Sequence, residues 1–255
     1  MIELFKLLNS YYDKVYVLTV DAAEKRRRSF AKRFEGLEYN FFYGADKKDL
    51  TIENLVEKNI YSEVLAKKNQ RYSKSLTSGE IACSRSHLMI YEDMLKNKYE
   101  RILIFEDDAV PDENVVKNIP MIIKELETSG CELVFWGWRR NGKTSIGRSI
   151  KKGWYHIQHT IGLLKYDHQI IKNLYARNFS AHLKKAGFHE YTYAYAITKP
   201  AAAKLIKMQA PIQYSADDLL AYACTKEIVK GFITWPKVFL HDSLPDGKPV
   251  DSYIR

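Results

Sequence analysis

The sequence predicts an α/β domain on a mostly parallel sheet, and three observations point there. Short apolar, β-branched runs recur along the chain. Charged stretches with helix-start signals separate them, and the first half reads strand, helix, strand, then helix, strand, helix, strand. In such sheets ligands bind beyond the carboxyl ends of the strands.

Residues 14–20 (KVYVLTV) read as a buried strand. Residues 21–34 carry charges at most positions and read as a helix capped near Asp21. Residues 38–43 form a second short strand. Thr77-Ser78-Gly79-Glu80 matches the capping box, so a helix starts there and runs to about residue 97. Residues 101–105 (RILIF) are a strand, 112–128 a helix and 131–137 (CELVFWG) another buried strand. From 139 to 190 the expectation is loops with a helix over 169–186. Residues 191–197 read as a strand. Thr198 caps a helix whose first turn holds Pro200. A further helix spans 218–226, and residues 232–240 are strand-like around Pro236.

A chain of 255 residues makes one large domain or two small ones. With 46% hydrophobic and 28% charged residues it can bury a core, so disorder is not expected. The formal net charge of +9 points to an acidic partner, be it a phosphorylated small molecule, an anionic membrane or nucleic acid. The basic residues are scattered rather than gathered into an arm, which argues against nucleic acid. Cys83, Cys131 and Cys224 lack any C-x-x-C spacing, so neither a disulfide framework nor a zinc site is expected. Residues 1–12 are broken by Glu3 and Lys6 and make a poor secretory segment. No apolar run approaches the roughly 18 residues of a membrane span. The expectation is a cytoplasmic protein, with peripheral contact to the inner membrane through its positive charge.

The most informative site is Glu106-Asp107-Asp108, directly after the buried RILIF strand. Three neighbouring carboxylates repel one another, and Mg²⁺ or Mn²⁺ with oxygen ligands would relieve the repulsion. Positions i and i+2 of an extended backbone point the same way, so Glu106 and Asp108 are expected to share a ligand while Asp107 faces elsewhere. The competing reading is a solvated acidic turn before Pro111. Thr19 ends the first strand, and the following helix carries Arg26 and Arg27, which would reach a diphosphate. No G-x-G-x-x-G or P-loop pattern accompanies them. Cys83 and His87 stand four apart on a helix, where packing is the plainer reading and a donor contact by His87 the functional one. Asp217 and Asp218 are either a helix-start pair or a source of a general base. His241, just past a strand, is either structural or a third Mn²⁺ ligand.

These pieces in this order resemble glycosyltransferase family 25, the lipopolysaccharide and lipooligosaccharide galactosyltransferases of bacteria, which are similar to procollagen galactosyltransferases. The resemblance starts at Val15-Tyr16-Val17-Leu18-Thr19-Val20 with Arg26-Arg27. It continues through Leu76-Thr77-Ser78-Gly79-Glu80-Ile81-Ala82-Cys83 and Ser86-His87, and peaks at Ile102 to Ala109. It resumes at Ala194-Tyr195-Ala196-Ile197-Thr198, Ala201 and Asp217. T-x-G-E-x-x-C-x-x-S-H followed by E-D-D about twenty residues later is the specific combination. Thr19-Val20 stands where the family has an Asn-Leu pair, and residues 138–190 carry nothing over from it.

The resemblance implies a single GT-A-type domain over 1–255: a Rossmann-like nucleotide-sugar-binding sheet with helices on both faces, the donor half about 1–137 and a smaller acceptor half about 138–255. It implies inverting transfer of a hexose, galactose first among them, from a UDP-sugar to a saccharide or glycolipid acceptor in lipopolysaccharide biosynthesis. Glu106-x-Asp108 would be the DxD element with Mn²⁺ or Mg²⁺, and Asp107, Thr19, Arg26, Arg27 and His87 would face the donor. Asp217 would be the base with Asp218 its rival, and His241 the C-terminal metal ligand. Two other classes compete: a metal-dependent phosphohydrolase acting on a nucleotide, and a basic non-catalytic binding module.

Overall fold

The computed structural model describes residues 1–71, 73–139 and 145–242. The elements run α1 (Ile2–Tyr11), β1 (Lys14–Thr19), α2 (Glu24–Arg33), β2 (Asn40–Tyr43), α3 (Ile52–Glu57), α4 (Glu63–Asn69), α5 (Ser78–Lys96), β3 (Arg101–Glu106), β4 (Ala109–Pro111), α6 (Ile119–Ser129) and β5 (Leu133–Gly137). They continue with α7 (Ser145–Thr160), α8 (His168–Lys172), β6 (Arg177–Asn178), β7 (Leu183–Lys185), β8 (Ala194–Thr198), α9 (Lys199–Met208), α10 (Ala216–Thr225), β9 (Gly231–Thr234) and β10 (Phe239–His241).

An eight-stranded sheet in the order β2-β1-β3-β8-β5-β9-β7-β6 forms the centre. Most strands run one way, while β8 and β7 run against them. The antiparallel β8 enters between β3 and β5, so a strand from the second half of the chain joins two from the first.

Strand alternation sends side chains to two cores. Tyr16, Ile102, Ile104, Phe135 and Tyr195 face α5, α9 and α10. Val15, Val17, Leu103, Phe105 and Trp136 face α1, α2 and α6. Helices therefore cover both faces, as expected. The first strands begin where their apolar runs begin, and α5 begins at the capping box: Thr77 Oγ1 accepts from Glu80 N at 3.3 Å while Glu80 accepts from Thr77 N at 2.8 Å. No helix among the described residues is long and apolar enough to cross a membrane.

Four expectations change. The helix over 169–186 stops at Lys172, because Asn173 turns its amide onto Thr225 O at 2.8 Å. The chain beyond it supplies β6 and β7, paired to β9 through Leu183↔Thr234. Residues 232–240 split into β9 and β10, which belong to different sheets. Thr198 makes no side-chain cap, its hydroxyl pointing instead at Glu132 O at 3.4 Å. Residues 21–34 open with a 3-10 turn over Asp21–Ala23, which no side chain caps. In the first three cases a partner distant in sequence overrides local propensity.

Phe105 is fully buried, and its ring meets Phe30 at 5.7 Å, Phe34 at 5.1 Å and Phe239 at 4.9 Å. It thereby ties β3 to α2 and β10. Phe105→Ala should cost about 3–5 kcal/mol and lower the melting temperature by on the order of 10 °C, read by calorimetry.

Candidate active site

Strand β3 leaves the sheet at Glu106, turns through Asp107 and Asp108, and returns as β4. Strand β4 pairs antiparallel with β10 in the register His241↔Ala109. That pairing brings a histidine from the far end of the described chain beside Asp108. Asp242 N donates to Asp108 O at 2.9 Å, and the Asp242 carboxylate is ion-paired with Arg33 of α2.

The carboxylates are buried, and each has its own partners. Asp107 accepts from Thr19 Oγ1 at 2.6 Å and from Arg26 at 2.6 Å. Asp108 accepts from Arg26 and lies 3.3 Å from His241 Nε2. Glu106 accepts from Thr192 Oγ1. Glu106 and Asp108 lie close enough for the Asp108 charge to act on Glu106, but the expectation that Asp107 stands apart is corrected here. The turn ends the extended backbone, so Asp107 and Asp108 share Arg26 while Glu106 points to the segment before β8.

Burial, and then the charge of Asp108, push Glu106 up to about 7. Burial also raises Asp107 to about 6, against the pull of Arg26. Asp108 is pushed up by burial, but its hydrogen bond to His241 and the Arg26 charge prevail and hold it below the usual carboxylate range. The same bond raises His241. The repulsion anticipated for three neighbouring carboxylates is thus relieved by the protein's own Arg26 and His241.

A second acidic group faces the first. Ser215 caps α10, accepting from Asp218 N at 3.3 Å and donating to Asp217 Oδ1 at 2.7 Å. Asp217 Oδ2 accepts from Tyr191 N at 3.3 Å. Burial, followed by the charge of Asp217 and those of Glu190 and Glu80, pushes Asp218 up to about 7. Tyr191 has φ 76°, a left-handed conformation that a side-chain-bearing residue adopts only under constraint. The constraint is visible on both sides of it: Tyr191 N holds Asp217, while Thr192 and Tyr193 O hold Glu106. The Cys83 thiol feels both groups: burial pushes it well up, and the charges of Glu106, Asp217, Glu80 and Asp108 add to that.

The remaining expected site residues divide. Thr19 is buried against Asp107, so it supports the acidic turn directly. Arg27 fastens the β1–α2 connection through Val20 O and through Asp21 O at 2.9 Å, and lies 5.3 Å from the Tyr43 ring centre. His87 is buried beneath the site, with Nδ1 2.7 Å from Tyr195 OH, and burial lowers it to about 4. In this structure it packs as a neutral histidine rather than lining the cleft. Its neighbour Ser86 accepts from Ala45 N at 2.9 Å, and a Cβ on Gly44 would lie 2.3 Å from its oxygen. Ser86 of the motif therefore pins the loop after β2. Tyr191 and Thr192 were not singled out in the sequence; their position directly before a strand, at a sheet edge where ligands bind, was the available signal.

A hard cation fits this acidic turn only in part. Among the described residues no group of three or more His, Cys, Asp and Glu is arranged to hold a metal ion. Asp108 Oδ1, however, is buried without a hydrogen-bond partner. Mg²⁺ takes one or two carboxylates and fills its shell with water and substrate phosphates. Glu106 and Asp108 suit that arrangement, and a cage made by protein alone is not formed. His241 already directs Nε2 to Asp108, which places it as that carboxylate's partner.

Farther along the same sheet edge, a cleft of ≈ 490 Å³ opens at the ends of β5 and β9. Trp138 and Trp235 stack there with centres 5.5 Å apart, Lys184 lies 3.5 Å over Trp235, and Arg148 lies 5.2 Å over Tyr175. His189 Nε2 and Tyr175 OH are buried there without hydrogen-bond partners. Gly137, just before Trp138, is required because a Cβ would lie 2.2 Å from the Tyr193 ring.

Arg26→Met should destabilise the fold by about 3–5 kcal/mol at pH 7.5, since it strands two buried carboxylates. Asp108 sits low in the folded state, so its pairing stabilises above its unfolded pKa and the benefit is lost as pH falls. The Asp107 share of the deficit should therefore go as that group takes up its proton at about 6, and the Asp108 share only below its unfolded value of about 4; a pH-independent deficit in thermal melts would refute the charge argument. Asp218→Asn should behave oppositely. The raised folded pKa favours the protonated acid, a contribution present below the unfolded value and lost as pH rises through about 7. The variant should melt a few degrees above the parent at pH 8.5 and level with it at pH 4.

The sequence profile described as "Glycosyltransferase family 25 (LPS biosynthesis protein)" matches residues 12–220. A Haemophilus influenzae relative named lipooligosaccharide biosynthesis protein lic2B is 34% identical over 103 residues, which is 40% of this chain and 36% of that protein. A Glycosyltransferase 25 family member of Anopheles gambiae is 24% identical over 203 residues, 76% of this chain and 28% of that one. Mouse procollagen galactosyltransferase 2 is 23% identical over 134 residues, 51% of this chain and 21% of that one. The matches thus span only about a fifth to a third of the relatives' own lengths, and another mouse relative is named an inactive family member. The profile match takes in β1, the α5 motif, the acidic turn and Asp217 together, and on it this chain belongs to glycosyltransferase family 25.

Proposed function

We propose that this chain transfers a hexose, galactose first among the candidates, from a UDP-sugar to a saccharide acceptor of lipooligosaccharide type, with inversion and with help from Mn²⁺ or Mg²⁺. One observation carries the reading. A carboxylate turn paired to Arg26 is linked, through the segment from Tyr191 to Tyr193 that holds both Glu106 and Asp217, to a second acidic pair in which Asp218 stands near 7. Glycosyl transfer with inversion needs these two things, positive charge at the leaving diphosphate and a base on the acceptor side.

Glu106 and Asp108 would hold the metal ion, which when bound supplies Lewis-acid stabilisation of the leaving diphosphate. Arg26 sets the charge of the turn, and Thr19 fixes Asp107 beneath it. Asp218 would take the proton of the acceptor hydroxyl, a contribution of about 10²–10⁴-fold. Asp217 would position it, since its oxygens are engaged by Ser215 and Tyr191. In-line displacement then inverts the anomeric carbon without a covalent intermediate. The cleft at Trp138 and Trp235 suits the acceptor, because aromatic faces stack on sugar rings and the buried His189 and Tyr175 atoms await hydrogen bonds. Work on such an acceptor would place the protein on the cytoplasmic side of the inner membrane.

The test is turnover of UDP-galactose on truncated lipooligosaccharide with Mn²⁺ or with EDTA. Metal-dependent transfer is expected, rising with pH through about 7 as Asp218 ionises. Asp108→Asn should lower it by about 10²–10³-fold, with the variant melting lower through loss of the pairs to Arg26 and His241 but still folded by circular dichroism at the assay temperature. Full turnover in EDTA would remove the metal from the mechanism. Equal product with water alone would make the protein a hydrolase.

A further inference from the structure

Helix α7 shows one face to the protein and another to nothing. Its inner side is anchored: Tyr155 is buried and accepts from Arg71, Arg148 lies over Tyr175, and Lys152 donates to Lys172 O at 2.6 Å. On the outer side Ile150, Trp154 and Ile157 are 68%, 56% and 54% exposed, followed by Ile161 at 61% and Leu163 at 68% just past the helix. With 3.6 residues per turn, positions 150, 154, 157 and 161 fall within about 60° of the helix circumference. Single exposed apolar residues are ordinary; five in one continuous patch are not.

The charge around this stripe has one sign. Lys151 and Lys165 are exposed beside it, and no Asp or Glu occurs between residues 145 and 166. Asp167, which follows, is tied to Lys226 at 2.9 Å and to Ile170 N at 2.9 Å. We propose that the outer face of α7 lies in the headgroup layer of an anionic lipid bilayer, with Trp154 and the isoleucines immersed and Lys151 and Lys165 at the phosphates. An apolar stripe with an interfacial Trp and a basic flank is the pattern of a helix lying in that layer. The single sign also argues against a second copy of this chain, since two such faces would bring lysine against lysine. The inner side of α7 carries Arg148 into the Trp138–Trp235 cleft, so a glycolipid head held at the bilayer would stand close to that opening. The docking itself does not depend on glycosyl transfer, and neither does its test.

The experiment is flotation of the full chain with vesicles of phosphatidylcholine alone or with 30% phosphatidylglycerol, following Trp fluorescence, since Trp154 is the exposed one of the four tryptophans, with Trp136 and Trp138 buried and Trp235 partly buried. Binding to the anionic vesicles with a blue shift is expected, falling about tenfold in the double variant Trp154→Ser, Ile157→Ser. Lys151→Glu with Lys165→Glu should cost about as much and weaken the salt dependence. Melting temperature should stay level in the apolar variant, whose side chains are exposed, and fall by no more than a few degrees in the lysine pair, since Lys151 Nζ lies 5.5 Å over the Tyr155 ring. No flotation, or flotation unchanged in the double variant, would overturn the proposal. So would a dimer by light scattering that the apolar variants dissociate, which would give the face to self-association.

Discussion

Burying three carboxylates in one turn is possible here only because Arg26 and His241 lie among them. Arg26 serves Asp107 and Asp108 together, and His241 shares Asp108. Taking charges out of water is unfavourable unless their partners come too. Much of the fold around the turn can be read as the means of delivering those partners. Helix α2 follows β1 directly and carries Arg26 to the carboxyl edge of the sheet. The β4–β10 ladder brings His241 back across most of the chain. Phe105, one residue before the turn, is locked by rings from both of those elements.

The second acidic group is set by similar economy. The segment from Tyr191 to Tyr193 holds Asp217 with one amide and Glu106 with one hydroxyl and one carbonyl. Its left-handed residue is the point at which the chain reaches both groups. Asp218 keeps a raised pKa first because it is withdrawn from water and then because Asp217, Glu190 and Glu80 crowd it. Two carboxylates with opposed tuning, Asp108 held low and Asp218 raised to about 7, are what separates a site for leaving-group charge from a site for proton transfer. Beyond them, the aromatic cleft and the outward stripe of α7 share one helix, so the acceptor side of the sheet and the lipid-facing surface are neighbours.

Much of the fold was legible because its signals are local. The β-branched runs at 14–20 and 101–105 and the Thr77–Glu80 box appear where alternation and capping place them. The acidic turn was legible too, since three carboxylates after a buried strand are conspicuous in any context. Less legible was what each residue does there. His87 belongs to a motif that names the family, yet it packs beneath the site, while its neighbour Ser86 pins a loop. Thr192 and Tyr191 carry no local signal beyond standing before a strand. The extra helix over 169–186 failed because a short apolar run cannot by itself choose between helix and strand.

The sequence alone determined the α/β class, the position of the acidic turn at a strand end, the family and the basic charge. Each of these rests on neighbours in the chain, and periodicity or adjacency encodes them directly. Only the tertiary structure decided that Arg26 and His241, rather than an ion alone, answer the buried charge. It also decided that β8 runs against its neighbours, that one short segment before β8 holds both Asp217 and Glu106, and that one face of α7 is left uncovered. Those outcomes depend on contacts between residues tens to hundreds of positions apart, where burial and pairing, not local preference, set the energy.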